Sequence, residues 1–187
     1  MRRTAGAVCT VVGLGLVSGC SPADLPLAAV WLNGAGKPVA EVRLCDGDRA
    51  SNVSLRSWGE REFDDVDLGL GDDTDDAGGS TATPSRTAGG DVEDSDWTAY
   101  ARVRDGTTFP LFSPPPSWRA EATGPQVLTP GRVYALSFTG SRQGWTPYDG
   151  HVYFTADDLA SLRPGQVWAD DHAMDRDAFD KLVDEHC

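Results

Sequence analysis

The chain has 187 residues and a net charge of −13, from 29 acidic against 16 basic side chains. A surface of that sign repels nucleic acid and anionic lipid headgroups, so neither is an expected partner. The length suffices for one domain with a real core. Only Lys37 and Lys181 of the basic residues are lysines, and with 21 glycines this reads as the coding bias of a GC-rich genome.

The chain opens "MRRTAGAVCTVVGLGLVSGC". Arg2 and Arg3 precede an uncharged, mostly apolar run from Ala5 to Val17. Crossing a bilayer takes ~20 apolar residues, so the run is too short to span but suits the core of a signal peptide. It ends in Val17-Ser18-Gly19-Cys20, an aliphatic residue, two small ones and a cysteine. This resembles the lipobox of bacterial lipoprotein precursors, and the composition is similar to that of small actinobacterial lipoproteins. The resemblance implies a signal peptide over 1–19, cleavage between Gly19 and Cys20, and diacylglyceryl (palmitate-type) modification of the Cys20 thiol. It also implies anchoring at the extracytoplasmic face of the cell membrane, since two acyl chains anchor stably where one does not. Residues 20–27 then read as a lipid-anchored tether to a single domain over 28–187. Loss of Arg2 and Arg3 takes the net charge from −13 to −15.

Cys9 leaves with the signal and Cys20 carries lipid, which leaves Cys45 and Cys187. Two thiols allow one intramolecular pairing, and export places them where disulfides persist. A Cys45–Cys187 bond is the expectation; a buried Cys45 with a frayed terminal Cys187 is the alternative.

Ala28 to Leu32 reads as a strand, Asn33-Gly34-Ala35-Gly36 as a turn, and Val39 to Cys45 as the returning strand. Ala40, Val42 and Leu44 share one face of it while Glu41 and Arg43 share the other, the mark of a half-buried antiparallel strand. Asn52 to Trp58 supplies a third. From Glu60 to Asp96 lie 13 of the 29 acidic residues, opposed only by Arg61 and Arg86. The centre of this stretch is nearly devoid of large apolar side chains and cannot offset its ordering entropy, so about 70–95 reads as an acidic disordered insertion. Trp97, Ala99, Ala101 and Val103 alternate with polar neighbours, "PPP" favours polyproline II, and "GRVYALSFTGS" and "HVYFT" are further strands. Thr155 and Asp158 form a capping pattern for a short helix closed by Pro164-Gly165. "QVW" is a short strand, and Met174, Ala178, Phe179, Leu182 and Val183 form the stripe of a final helix with Asp175 at its N-cap. Strand after strand with two short C-terminal helices predicts a mainly β fold, an antiparallel β-sandwich. It is immunoglobulin-like at most in architecture, because the Cys…Trp…Cys spacing of antibody domains is absent.

Motifs for chemistry are sparse. The carboxylates Asp64, Asp65, Asp67, Asp72, Asp73, Asp75 and Asp76 invite calcium, but no window has EF-hand spacing. His151, His172 and His186 lie outside every zinc spacing, and adjacent His186 and Cys187 point about 100° apart on a helix. No nucleophile elbow occurs, so no cofactor, metal or catalytic residue is assigned. Trp118 and Trp145 lie in Pro/Gly-rich loops with Tyr148 nearby and are the candidate ligand-facing aromatics. The favoured function is a non-enzymatic binding module at the cell surface, whose partner is an envelope protein or ligand. The alternative is an anchored hydrolase of envelope material using Asp149, Asp157 or Asp158 near His151; a transporter's solute-binding component comes last, the chain being short for two lobes.

Overall fold

The computed structural model describes residues 22–59, 94–104, 106–142 and 146–187. Gly19 and Cys20, the acidic carboxylates from Asp64 to Asp76, Trp145, and all of the expected insertion except Asp94 and Ser95 lie outside the described residues.

The protein is mainly β. Eleven strands are described: β1 (Ala23–Leu25), β2 (Ala28–Leu32), β3 (Pro38–Val42), β4 (Arg49–Gly59), β5 (Asp96–Ala99), β6 (Thr107–Pro110), β7 (Glu121–Thr123), β8 (Arg132–Arg142), β9 (Thr146–Thr155), β10 (Gln166–Ala169) and β11 (His172–Asp175). Two helices follow β9 and β11, α1 (Ala156–Ser161) and α2 (Arg176–His186). The strands form a six-stranded sheet, β1-β9-β8-β4-β5-β7, and a five-stranded sheet, β11-β10-β2-β3-β6. β1 pairs with β9 in parallel, and the other named strand pairs are antiparallel.

Alternation builds the sandwich. On β8, Tyr134, Leu136 and Phe138 are buried, and on β9 so are Tyr148, Val152 and Phe154. They face Val30, Ala40, Val42 and Phe109 of the other sheet in one continuous core. Edge-on ring contacts tie the two sheets, Trp97 of β5 to Phe109 of β6 at 6.0 Å and Phe109 to Trp118 at 4.8 Å. Glycine is required at two places in this core. A Cβ on Gly140 falls 2.3 Å from the Tyr148 ring, and one on Gly150 falls 2.3 Å from the Phe138 ring. Each glycine is the cross-strand partner of the aromatic that fills its space.

Several expectations are refined. The strand over "HVYFT" begins five residues earlier, at Thr146. The segment expected as a tether contains β1, whose Ala23, Asp24 and Leu25 pair with Tyr148, Asp149 and Gly150. Met174 belongs to β11 rather than to the last helix, and Ala178 is exposed, so the buried stripe of α2 is Phe179 and Val183. Asp175 occupies the N-cap without a capping bond, its carboxylate accepting instead from Gln166 Nε2 at 3.3 Å. The capping box of α1 is complete, with Thr155 and Asp158 bonding each other's backbone N–H. After Pro115 the proline run turns into one 3₁₀ turn, Pro116–Trp118.

Cys45 and Cys187 are joined in a disulfide across 142 residues of sequence. The bond fastens the end of α2 to the loop after β3. That helix covers the outer face of the five-stranded sheet. Glu41, only 4 % exposed, bonds Arg176 of α2, and Arg43 bridges Glu41 at 3.0 Å and Asp180 at 3.1 Å. Ala29 and Glu41 stand opposite each other in the β2–β3 ladder on the strands' outward phase, and both are buried.

Candidate functional site

The outer face of the six-stranded sheet carries no helix among the described residues. The register of its three central strands places their outward side chains in rows. Asn52, Thr139 and Asp149 form one row across β4, β8 and β9; Ser54, Ser137 and His151 form the next; Arg56, Ala135 and Tyr153 form a third, with Trp58 beyond on β4. Strands lie about 4.8 Å apart, so each row spans roughly 10 Å. Ser54 and Ala135 are small and buried, whereas His151, Tyr153 and Trp58 stand partly exposed above them. The result is a trough of about 420 Å³ with a floor of short side chains and walls of long ones.

Its polar groups are held in place by one another. Ser54 Oγ and Ser137 Oγ share a hydrogen bond of 3.0 Å, and Thr139 Oγ1 donates to Asp149 Oδ1 at 2.9 Å. His151 Nδ1 lies 2.9 Å from Asp24 Oδ1 of β1, and its ring meets Tyr153 edge-on at 4.9 Å. Burial pushes the Asp24 carboxyl above its ordinary value; His151 opposes this and the neighbouring Asp149 carboxylate adds to it. Burial also raises the Tyr153 phenol, helped by the Asp24 and Asp171 carboxylates. Asn52 Oδ1 is buried and accepts no hydrogen bond among the described residues. Native buried acceptors are seldom left so, and this one directly follows the register shift between Ala50 and Asn52.

Ser137 and His151 stand side by side, and Asp24, opposite Asp149 in the next row, reaches His151 diagonally, so the three have the residue types of a nucleophile, base and orienting acid. The pairing of Nδ1 with Asp24 leaves Nε2 for other partners. Acyl transfer also needs donors aimed at an oxyanion, and at this point the strands' backbone N–H groups are spent: β8 is laddered on both sides, and Tyr153 N donates to Asp171 Oδ1 at 3.1 Å. The trough is built to hold polar groups rather than to drive that reaction.

The sequence-predicted site residues fall elsewhere. Trp118 is 7 % exposed and Tyr148 is 2 % exposed, so neither faces a ligand. The 3₁₀ turn folds Trp118 inward onto Phe109, and the early start of β9 puts Tyr148 on the inward phase with Gly150, Val152 and Phe154. Burial and the Asp48 carboxylate push the Tyr148 phenol up to about 12. Trp145 lies outside the described residues. Asp149 does share a face with His151, whereas Asp158 is occupied in the capping box and Asp157 is exposed on the first turn of α1. Cys187 is in the disulfide and is no thiolate for a metal. No cluster of three metal-ligating side chains occurs among the described residues. Nor is any helix there long and apolar enough to cross a membrane.

A second depression, about 720 Å³, opens between the β2–β3 turn and the end of α1. Its strongest polar group, Arg176, is already spent: the guanidinium bonds Glu41 and lies 4.6 Å over the Trp31 ring. The lining of the trough is the more polar of the two. No protein-family model matches the chain, and comparisons with curated proteins and with solved structures find no match.

Proposed function

We propose that the chain is a lipid-anchored extracytoplasmic binding module, held to the membrane through a diacylglyceryl Cys20 and presenting the trough on its six-stranded sheet to a ligand. The observation that carries the reading is that trough: preorganised, partly buried, polar, and uncovered among the described residues in the centre of a fully laddered sheet. Asp24, which holds His151, stands four residues after Cys20. Four residues reach at most ~14 Å, so the anchor keeps this edge of the trough close to the bilayer surface. The signal-like start of the sequence supports the anchor.

Two measurements test the reading. Cys20→Ala releases the protein from the membrane fraction; an unchanged fraction removes the anchor. A photo-crosslinking residue at exposed Arg56 captures material from native membranes that the same residue at Arg163, on the far side, does not. Equal capture at both positions removes the trough as the binding face.

A second reading, a hydrolase with Ser137 and Asp24 beside His151 in place of the carboxylates Asp149, Asp157 or Asp158 expected from the sequence, is favoured by one contact, His151 Nδ1 to Asp24 Oδ1 at 2.9 Å next to Ser137. A fluorophosphonate probe that labels Ser137 in the native protein, and loses the label in His151→Ala, selects it over the binding module.

A further inference from the structure

We infer that the trough takes a neutral, hydroxyl-rich ligand, a short uncharged glycan segment, with Asp149 and the Ser54–Ser137 pair engaging its hydroxyls and Tyr153 packing on a sugar ring. This rests on the trough being the ligand face. Three features of the lining point to that chemistry.

The first is its mixed polarity. The second oxygen of Asp149 is an acceptor, because Thr139 occupies Oδ1. One step along the strands, the Ser54–Ser137 pair holds two hydroxyl hydrogens and spends one on its mutual bond, leaving the other to donate. His151 adds a ring nitrogen. A ligand that meets acceptors and donors a strand spacing apart must itself offer both at close intervals, and a hydroxyl is the group that does so from one atom. The second feature is the shelf in the third row, where buried Ala135 leaves room between Tyr153 and Arg56. Apolar C–H faces pack against aromatic rings there, while a polar rim holds the hydroxyls. The third is charge. A chain at −13 with Asp24 and Asp149 in or beside the trough disfavours anionic polymers, and Arg56 stands against a purely cationic ligand.

A peptide fits less well. Extended peptides are held by main-chain bonds to a sheet edge or by apolar pockets at alternate spacing. Here the floor is laddered on both sides and made of Ser54, Ser137 and Ala135. The volume of about 420 Å³ lies in the range of small-ligand sites and suits a few sugar units rather than a protein surface.

The test is titration of the detergent-solubilised full chain with cellotetraose, chitotetraose and mannotetraose, read by calorimetry and by saturation-transfer NMR. At least one is expected to bind saturably with transfer to its ring C–H protons. Tyr153→Ala and Asp149→Ala are each expected to weaken it about five- to tenfold with unchanged thermal unfolding, while Tyr153→Phe retains it. Saturable binding that neither alanine variant alters overturns the assignment to the trough. If none of the three binds but the Arg56 photo-crosslinker captures a protein, the glycan proposal falls while the trough survives as a binding face. If none binds and nothing is captured, both fall.

Discussion

The two sheets differ most on their outer faces. Outside the five-stranded sheet, α2 brings Phe179 and Val183 down onto the strands, ties Arg176 to Glu41, and is fastened at its end by the Cys45–Cys187 bond. Outside the six-stranded sheet, the same alternation of strands produces serines, a threonine, an asparagine, an aspartate and a histidine, with no covering element among the described residues. One face is closed by apolar burial, and the other is kept polar and held in register. Covered surface contributes stability, whereas ordered polar surface contributes little to it and suits recognition. The difference makes one side of the molecule structural and leaves the other as the face for the ligand proposed above.

That division can be broken by substitution. Phe179→Ala has the largest expected effect, about 3–5 kcal/mol lost in urea unfolding, because a wholly buried ring leaves a cavity under α2. A loss below 1 kcal/mol means the helix is no part of the folded unit. Replacing both Cys45 and Cys187 by serine is expected to cost roughly 3 kcal/mol, by freeing a loop that the bond closes over 142 residues. Non-reduced and reduced melts of the native protein give the same comparison. Glu41→Gln, which leaves Arg43 and Arg176 without their shared carboxylate, is expected to cost about 1–2 kcal/mol. On the bare face, Asp149→Asn is expected to change unfolding by less than about 0.5 kcal/mol. A loss comparable to that of Phe179→Ala makes this face structural too.

The smallest effect is a pH dependence. Asp24 has a folded-state pKa above its ordinary 3.8, so the folded state holds its proton more tightly than the unfolded chain. Its contribution to stability is therefore present below pH 3.8 and declines as pH rises through the raised folded value. Asp24→Asn removes that decline, so the variant gains on the wild type as pH rises across this window. Urea melts at several pH values show it, and a gain in the opposite direction excludes burial as the dominant influence on Asp24.

Much of the frame was legible because it is local. The capping box of Thr155 and Asp158, the strand alternation in "GRVYALSF", and the Asn33 turn, whose Oδ1 accepts from Ala35 N and Lys37 N, involve residues a few positions apart. The pairing of Cys45 with Cys187 followed from having two candidates and one pairing. β1, β6, β7 and β11 were missed because three or four residues carry no readable period. The aromatic assignment failed at Trp118 because a 3₁₀ turn folds it onto Phe109, and at Tyr148 through phase. Extending the alternation of "HVYFT" back to Tyr148 points that ring inward and Asp149 outward, a signal present in the sequence.

By itself the sequence determined a mainly β domain with a helical C-terminus, since hydrophobic period, turn chemistry and capping act within a few residues. Only the tertiary structure decided which outward residues meet. Ser137, Asp149 and His151 come from the β8–β9 hairpin, Asn52 from β4 much earlier in the chain, and Asp24 from β1 earlier still. Strand order and register are fixed by how the inner faces pack, so the site on the outer face is written in residues whose own pattern shows only that they face away from the core.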